Sequence, residues 1–303
     1  MGVSILLIMF FHCGLIPNGH IGVEFFLFIS AIGLYFSLSK NPDTPQFYKR
    51  RLVRILPTYF VLTIPYVLVY KHFHPEEPLV ELVKILFQIR TLTESMDFSQ
   101  WFISLILICY LFTPLFFKNH RILLSYPFLI VFTVLCFSCS HLFTPSYIID
   151  RLPVFFWSLK VADGIYAKKQ IHYLPVFALL LTAILFWIFI MPAAGTYYPQ
   201  FGAKVFAFLL ATLPLIILIT AVVSRLPQRV IHVLDFFGSI SLELYLSHEC
   251  IKYVLAKYIV DGEVWSKAEI LEIAFISMLL AIAVAYVTHK VIAHCTQHIT
   301  RKS

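Results

Sequence analysis

About ten apolar runs recur along the whole chain, most of them close to the ~20 residues that a helix needs to cross a hydrocarbon core. They fall at about 1–16, 21–38, 55–70, 101–117, 122–141, 147–166, 174–191, 201–223, 234–258 and 270–292. Backbone in hydrocarbon must satisfy its own hydrogen bonds, which leaves helices as the spanning element for such runs. Composition agrees: 60% of the 303 residues are hydrophobic and 13% charged, against about a quarter charged in soluble domains. The expected fold is an all-α, polytopic membrane bundle of about ten transmembrane helices, one integral membrane domain over 1–303. No basic segment precedes the first run and no small-residue cleavage site follows it, so no signal peptide is expected. Residues 79–90 (LVELVKILFQIR) have helical spacing with interspersed charges, the pattern of an interfacial helix or a cap over the bundle.

The connecting segments carry the topology. Segment 39–54 holds Lys40, Lys49, Arg50, Arg51 and Arg54 against Asp43. Lys118 with Arg121, Lys168 with Lys169, Arg225 with Arg229, and then Lys290, Arg301 and Lys302 repeat the excess at every second connection. The intervening segments are acidic or uncharged, with Glu76, Glu77, Glu81, Glu94 and Asp97 against three cations in one and Asp261, Glu263 and Glu269 against Lys267 in another. Under the positive-inside rule this alternation puts both termini in the cytoplasm. The net charge of +7 is a topology signal in short loops and excludes nucleic acid as a partner. Cys136-x-x-Cys139 with His141 lies inside an apolar run and lacks a second half, which reads as helix packing. His294 and His298 share a face beyond His289 but have no carboxylate nearby, so no metal is expected there.

Ionisable groups inside apolar runs cost free energy and are functional candidates for that reason. His12 ends the first run; eleven residues beyond Met1 is about 16 Å, half of a ~30 Å core. Its imidazole either bonds a neighbouring helix or takes a proton from a hydroxyl near neutral pH. Glu24, early in the second run, either orients that histidine or sits in a water-filled vestibule. Arg51 and Arg54 are three apart at the start of the third helix; beyond encoding topology, their guanidinium forks suit a phosphate-bearing ligand. Ser241, Tyr245 and His248 form a stripe that either lines a polar cavity or pins helices together, and Glu243 falls off its face.

His12, then Gly22-Val23-Glu24-Phe25-Phe26, then Phe47-Tyr48-Lys49-Arg50-Arg51 and Arg54-Ile55-Leu56-Pro57-Thr58-Tyr59 resemble the opening of the membrane acyltransferase 3 family. Residues 101–114, Arg151-Leu152-Pro153-Val154-Phe155 and 238–248 resemble its later landmarks, in order. The resemblance implies a multi-pass enzyme of the cell membrane (the bacterial plasma, or inner, membrane) that moves an acyl group, most often acetyl from acetyl-CoA. The acceptor it implies is a hydroxyl of a carbohydrate or lipid-linked glycan. His12 matches the family's catalytic histidine, and Arg51 with Arg54 its paired arginines near the CoA entry. The family pattern has an arginine eleven residues before that histidine, where this chain has Met1; the expectation is a start farther upstream, or an inactive member. Export of a small anionic metabolite or glycan precursor is the competing function, although no internal repeat of the transporter kind is visible.

Overall fold

A proline and a carboxylate set where the longest early helix begins. Asp43 accepts a hydrogen bond from the Gln46 backbone N–H at 3.2 Å, and Pro45 occupies the first turn. The helix therefore starts at Thr44 and not near residue 55, and the basic cluster 49–54 lies inside it, not in a preceding loop. The computed structural model describes residues 1–93, 100–142, 146–170, 172–194, 197–259 and 267–300, all of it helix, turn or loop. Glu94, Asp97, Asp261, Glu263, Arg301 and Lys302, used above for topology, lie outside the described residues.

The chain opens with α1 (Gly2–His12), a 3-10 turn (Gly19–Ile21), α2 (Gly22–Lys40) and α3 (Thr44–Phe73). Two short helices follow, α4 (Leu79–Leu86) and α5 (Ile89–Thr93), broken at Gln88, whose φ is 60°. Leu82 and Ile85 pack on Val67, Tyr66 and Tyr70 of α3, while Leu79, Val80 and Val83 point outward. The middle of the chain forms α6 (Trp101–Lys118), α7 (His120–Leu123), α8 (Tyr126–Cys139), α9 (Ser146–Ile149) and α10 (Leu152–Tyr166). The remainder is α11 (Tyr173–Phe189), α12 (Tyr197–Val223), α13 (Gln228–Ser239), α14 (Ser241–Ile259) and α15 (Lys267–Thr300).

Five described helical segments are long and apolar enough to cross a bilayer: Gly19–Lys40, Thr44–Phe73, Trp101–Lys118, Gly202–Val223 and Leu271–Cys295. The run expected as a straight span at 234–258 is a helix pair, Gln228–Ser239 and Ser241–Leu255, bent by 69°; counted as one, it makes a sixth. The other four expected spans are helical but shorter, at 11 residues for α1, 14 for α8, 15 for α10 and 17 for α11.

The core forms where α10 lies along α2 and α14 along α15. Leu27, Ala31 and Leu34 of α2 and Phe155, Phe156 and Leu159 of α10 are buried there, with Phe156 stacked on Phe116 at 4.0 Å between centroids. The short α1 is held by close backbone approach. A Cβ on Gly2 would sit 2.0 Å from the Leu234 carbonyl oxygen, and one on Gly22 would sit 2.4 Å from that of Ser4. Only glycine fits at either position. Residues Met1, Gly2, Val3 and Ser4 share a cavity of about 330 Å³ with Phe25 and Ile29, and α2 continues from there to Lys40. Met1 is therefore not level with the basic edge, and His12 stands farther from Lys40 than a count from Met1 places it.

Candidate active site

Gly14 decides where α1 stops. With φ at 70° it takes the left-handed conformation, its N–H bonds the Phe11 carbonyl, and the Leu15 N–H bonds that of Phe10, both at 2.9 Å. This pair of bonds is a Schellman stop, and it leaves His12 as the last helical residue. The Lys252 Nζ, from α14, donates to the His12 carbonyl oxygen at 3.2 Å, a cation at the negative end of the helix.

The His12 ring meets two consecutive residues of α14. Its Nδ1 lies 2.7 Å from His248 Nε2 and 2.7 Å from Glu249 Oε1. The two rings are 15° from coplanar with centroids 4.9 Å apart, the separation of an edge-on, in-plane contact and not of face-to-face stacking. Hydrogen-bond partners then fix the tautomers. His248 Nδ1 donates to the Leu244 carbonyl at 3.0 Å, so His248 Nε2 carries a lone pair. His12 Nδ1 faces that lone pair and a carboxylate, so it holds the proton, which leaves His12 Nε2 as the basic nitrogen. Glu249 Oε1 is buried beside this bond but off its axis, flanking the ring where positive charge would develop. Lys252 lies 3.6 Å from the same carboxylate. Buried His248 and part-exposed His12 and Glu249 thus make a base with its tautomer set, open on one edge.

A family model described as an acyltransferase domain matches residues 2–290. The chain belongs to the acyltransferase 3 family. No match was found among curated proteins or among solved structures. As a membrane acyltransferase by family, it has its expected site residues distributed over three places in the fold.

His12 and His248 come together, across 236 residues of sequence. Glu24 does not join them. Its carboxylate is fully buried 2.9 Å from Arg151 Nε, and the Arg151 guanidinium lies over the Trp101 ring at 4.8 Å and donates to the Tyr147 carbonyl at 3.1 Å. The carboxylate in contact with His12 is Glu249 and not Glu24, and the group facing the His12 Nδ1–H is His248 Nε2. Tyr245 accepts a hydrogen bond from the Phe102 N–H at 3.4 Å and packs its ring on Phe102, tying α14 to α6 of the acyltransferase. Ser241 opens α14, about 10 Å along the axis from His248, and Glu243 turns to His289 at 3.1 Å. Arg51 is half-buried, with its guanidinium over the Phe47 ring at 5.5 Å and its Nε without a hydrogen-bond partner. Arg54 is exposed.

Glu249, which touches His12, is not among the residues expected from the sequence. Its signal was its place beside His248 and three residues before Lys252, an ionisable trio on one turn of an apolar run. Because His248 also holds the His12 tautomer, Glu249→Gln is expected to lower kcat about 10- to 100-fold, less than the ~10⁴-fold seen where a carboxylate acts alone. Steady-state kinetics check this, with KM for the acyl donor unchanged; an equal fall in kcat for Lys252→Met, which changes the local charge in the opposite sense, would assign the effect to a disturbed α1–α14 contact instead.

Proposed function

We propose that the protein transfers an acetyl group from acetyl-CoA to a hydroxyl of a cell-surface polysaccharide, glycolipid or related carbohydrate, with His12 as the general base. The observation that carries this reading is the His12 ring itself, with Nδ1–H committed to His248, the Glu249 carboxylate beside it, and Nε2 left basic. In the proposed step His12 Nε2 takes the acceptor's hydroxyl proton as its oxygen attacks the thioester carbonyl. The C–S bond then breaks, CoA leaves as the thiolate, and the imidazolium, stabilised by Glu249, returns the proton to it. The chain's own residues supply this chemistry, and the reading assigns it no metal cofactor.

Arg51 and Arg54 are the proposed holders of the CoA phosphates. The half-buried Arg51, with a donor still unused, and the exposed Arg54 suit a ligand arriving at the basic end of α3. A cavity of about 440 Å³ brings Leu62, Pro65 and Tyr66 of α3 against Ser247, Cys250 and Ile251 of α14. Leu62 is about 12 Å along the helix from Arg54, a span of the kind an extended pantetheine arm bridges. In the same reading α1, α8, α10 and α11 complete a ten-span, single-domain topology in the cell membrane with both termini cytoplasmic, the start of α1, level with Phe25 and Ile29 of α2, being reached from that side through a thinned bilayer. Spans this short are accommodated by local thinning of the bilayer.

Purified protein given radiolabelled acetyl-CoA and a glycan fraction is the direct test, with label on the glycan as the expected result. Uptake of label into vesicles without covalent transfer would sink the proposal in favour of transport. Arg51→Ala and Arg54→Ala are each expected to raise KM for acetyl-CoA about 10-fold, the size of one lost charge-assisted bond, with kcat nearly unchanged. An unaltered KM in both would remove the arginines from donor binding.

A further inference from the structure

We propose that His12 Nδ1, His248 Nε2 and Glu249 Oε1 form a binding site for a divalent transition-metal ion, zinc foremost, and that its occupancy shuts off acyl transfer. The three atoms lie within 4.8 Å of one another, and they come from two helices that hold them independently. Three lone-pair atoms are gathered here around one hydrogen. His248 has spent its own proton on the Leu244 carbonyl, and the single Nδ1–H of His12 is aimed at His248 Nε2. Glu249 Oε1, buried and 2.7 Å away, receives no hydrogen bond from it. A metal ion in place of that one proton would engage all three atoms at once.

The donor set suits the ion. Two imidazoles and one carboxylate, with a fourth position left to water, make a zinc site of the open kind. Tetrahedral ligands about 2.0–2.1 Å from zinc stand about 3.3 Å apart. The separations here are 2.7, 2.7 and 3.6 Å, so a tilt of the rings and an opening of about 0.6 Å on two sides accommodates it. The Leu244 carbonyl on the far side of the His248 ring is the outer-shell partner that metal-bound histidines ordinarily have. His12 and Glu249 keep 27% and 20% of their side chains exposed, enough for an ion to enter. The Lys252 ammonium, 3.6 Å from Glu249, opposes a dication, which makes this a reversible site and not a permanent one. Metal on Nδ1 moves the ring's single proton to Nε2, the nitrogen that must be free to take the acceptor's proton, and it draws the flanking carboxylate away from the ring. The inhibitory half of the proposal therefore rests on His12 being the base, while the binding half does not.

The test uses the full-length protein in detergent, stripped with a chelator, titrated with zinc by calorimetry and with cobalt by its visible absorption. The expected result is one ion per chain, an intense tetrahedral cobalt spectrum, and at least 10-fold weaker binding in Glu249→Gln and in His12→Asn. A double His289→Ala, His294→Ala variant is expected to bind as the parent does. No zinc binding by the parent, or binding unaltered in both site variants that retain the parent's melting curve, would overturn the site. In the transfer assay zinc is expected to inhibit reversibly, with activity restored by chelator. Stoichiometric zinc at these residues with undiminished transfer would keep the site and overturn His12 as the base.

Discussion

His12→Ala is expected to leave a folded protein whose kcat for acetyl transfer is lower by about 10²–10⁴-fold, the usual contribution of a positioned general base. The substitution removes Nε2, where the proton would go, and it also removes the Nδ1–H that His248 accepts. The two losses are separable. In His12→Asn the amide N–H reaches toward His248 much as Nδ1–H does, but the side chain offers no basic nitrogen. Thermal melting of the asparagine variant is expected to match the parent, while its kcat falls as far as that of the alanine variant. Recovery of activity in His12→Asn would mean that the histidine only holds helices together, and the mechanism above would fail with it.

The largest expected effect on stability is at a different pair. Glu24 and Arg151 are 0% and 1% exposed and sit 2.9 Å apart, where α2 and α10 begin side by side. Removing one partner leaves the other charge buried and uncompensated, which costs about 3–5 kcal/mol. Glu24→Ala and Arg151→Ala are each expected to melt far below the parent in detergent. Glu24→Gln combined with Arg151→Met, which removes both charges while keeping most of the volume, is expected to cost much less than the sum of Glu24→Gln alone and Arg151→Met alone. Additive losses would show that the pair is not energetically coupled. The placement of Glu24 in the first turn of α2 adds a favourable helix-end interaction. Arg151→Ala also strips the cation from the face of Trp101, so its loss is expected to be the greater of the two.

What could be read in the sequence follows from how far apart the cooperating residues are. The apolar runs and the His12-Cys13-Gly14 stop are local, and the helices fall close to the runs. At residues 44–50 apolar content misses the helix, which begins at Thr44 and not just before Arg51, although Asp43 and Pro45 supply a complete start signal. Run length alone overstates the helical length of α1, α8, α10 and α11, because turns such as the one after His12 consume apolar residues without extending a helix. The site is a different matter. His12 was legible as an imidazole in an apolar run, and His248 as a polar residue in another. Their contact depends on how α1 crosses α14, which no spacing reveals. Nearness in the chain points to Glu24 as a partner of His12, whereas burial opposite Arg151 takes it elsewhere and Glu249 approaches from a distant helix.

The break between α13 and α14 fixes the azimuth of everything beyond it. Gly238 rests against the start of α1, where a Cβ would lie 3.2 Å from the Gly2 nitrogen, and the chain swings through 69° before Ser241. With that anchor in place, the angular position of His248 and Glu249 depends on how many residues separate them from the corner. One residue inserted after Ser241 would turn both side chains by about 100° around the α14 axis and swing them off the end of α1. The count of seven positions from corner to histidine is thus as much a part of the chemistry as the histidine itself.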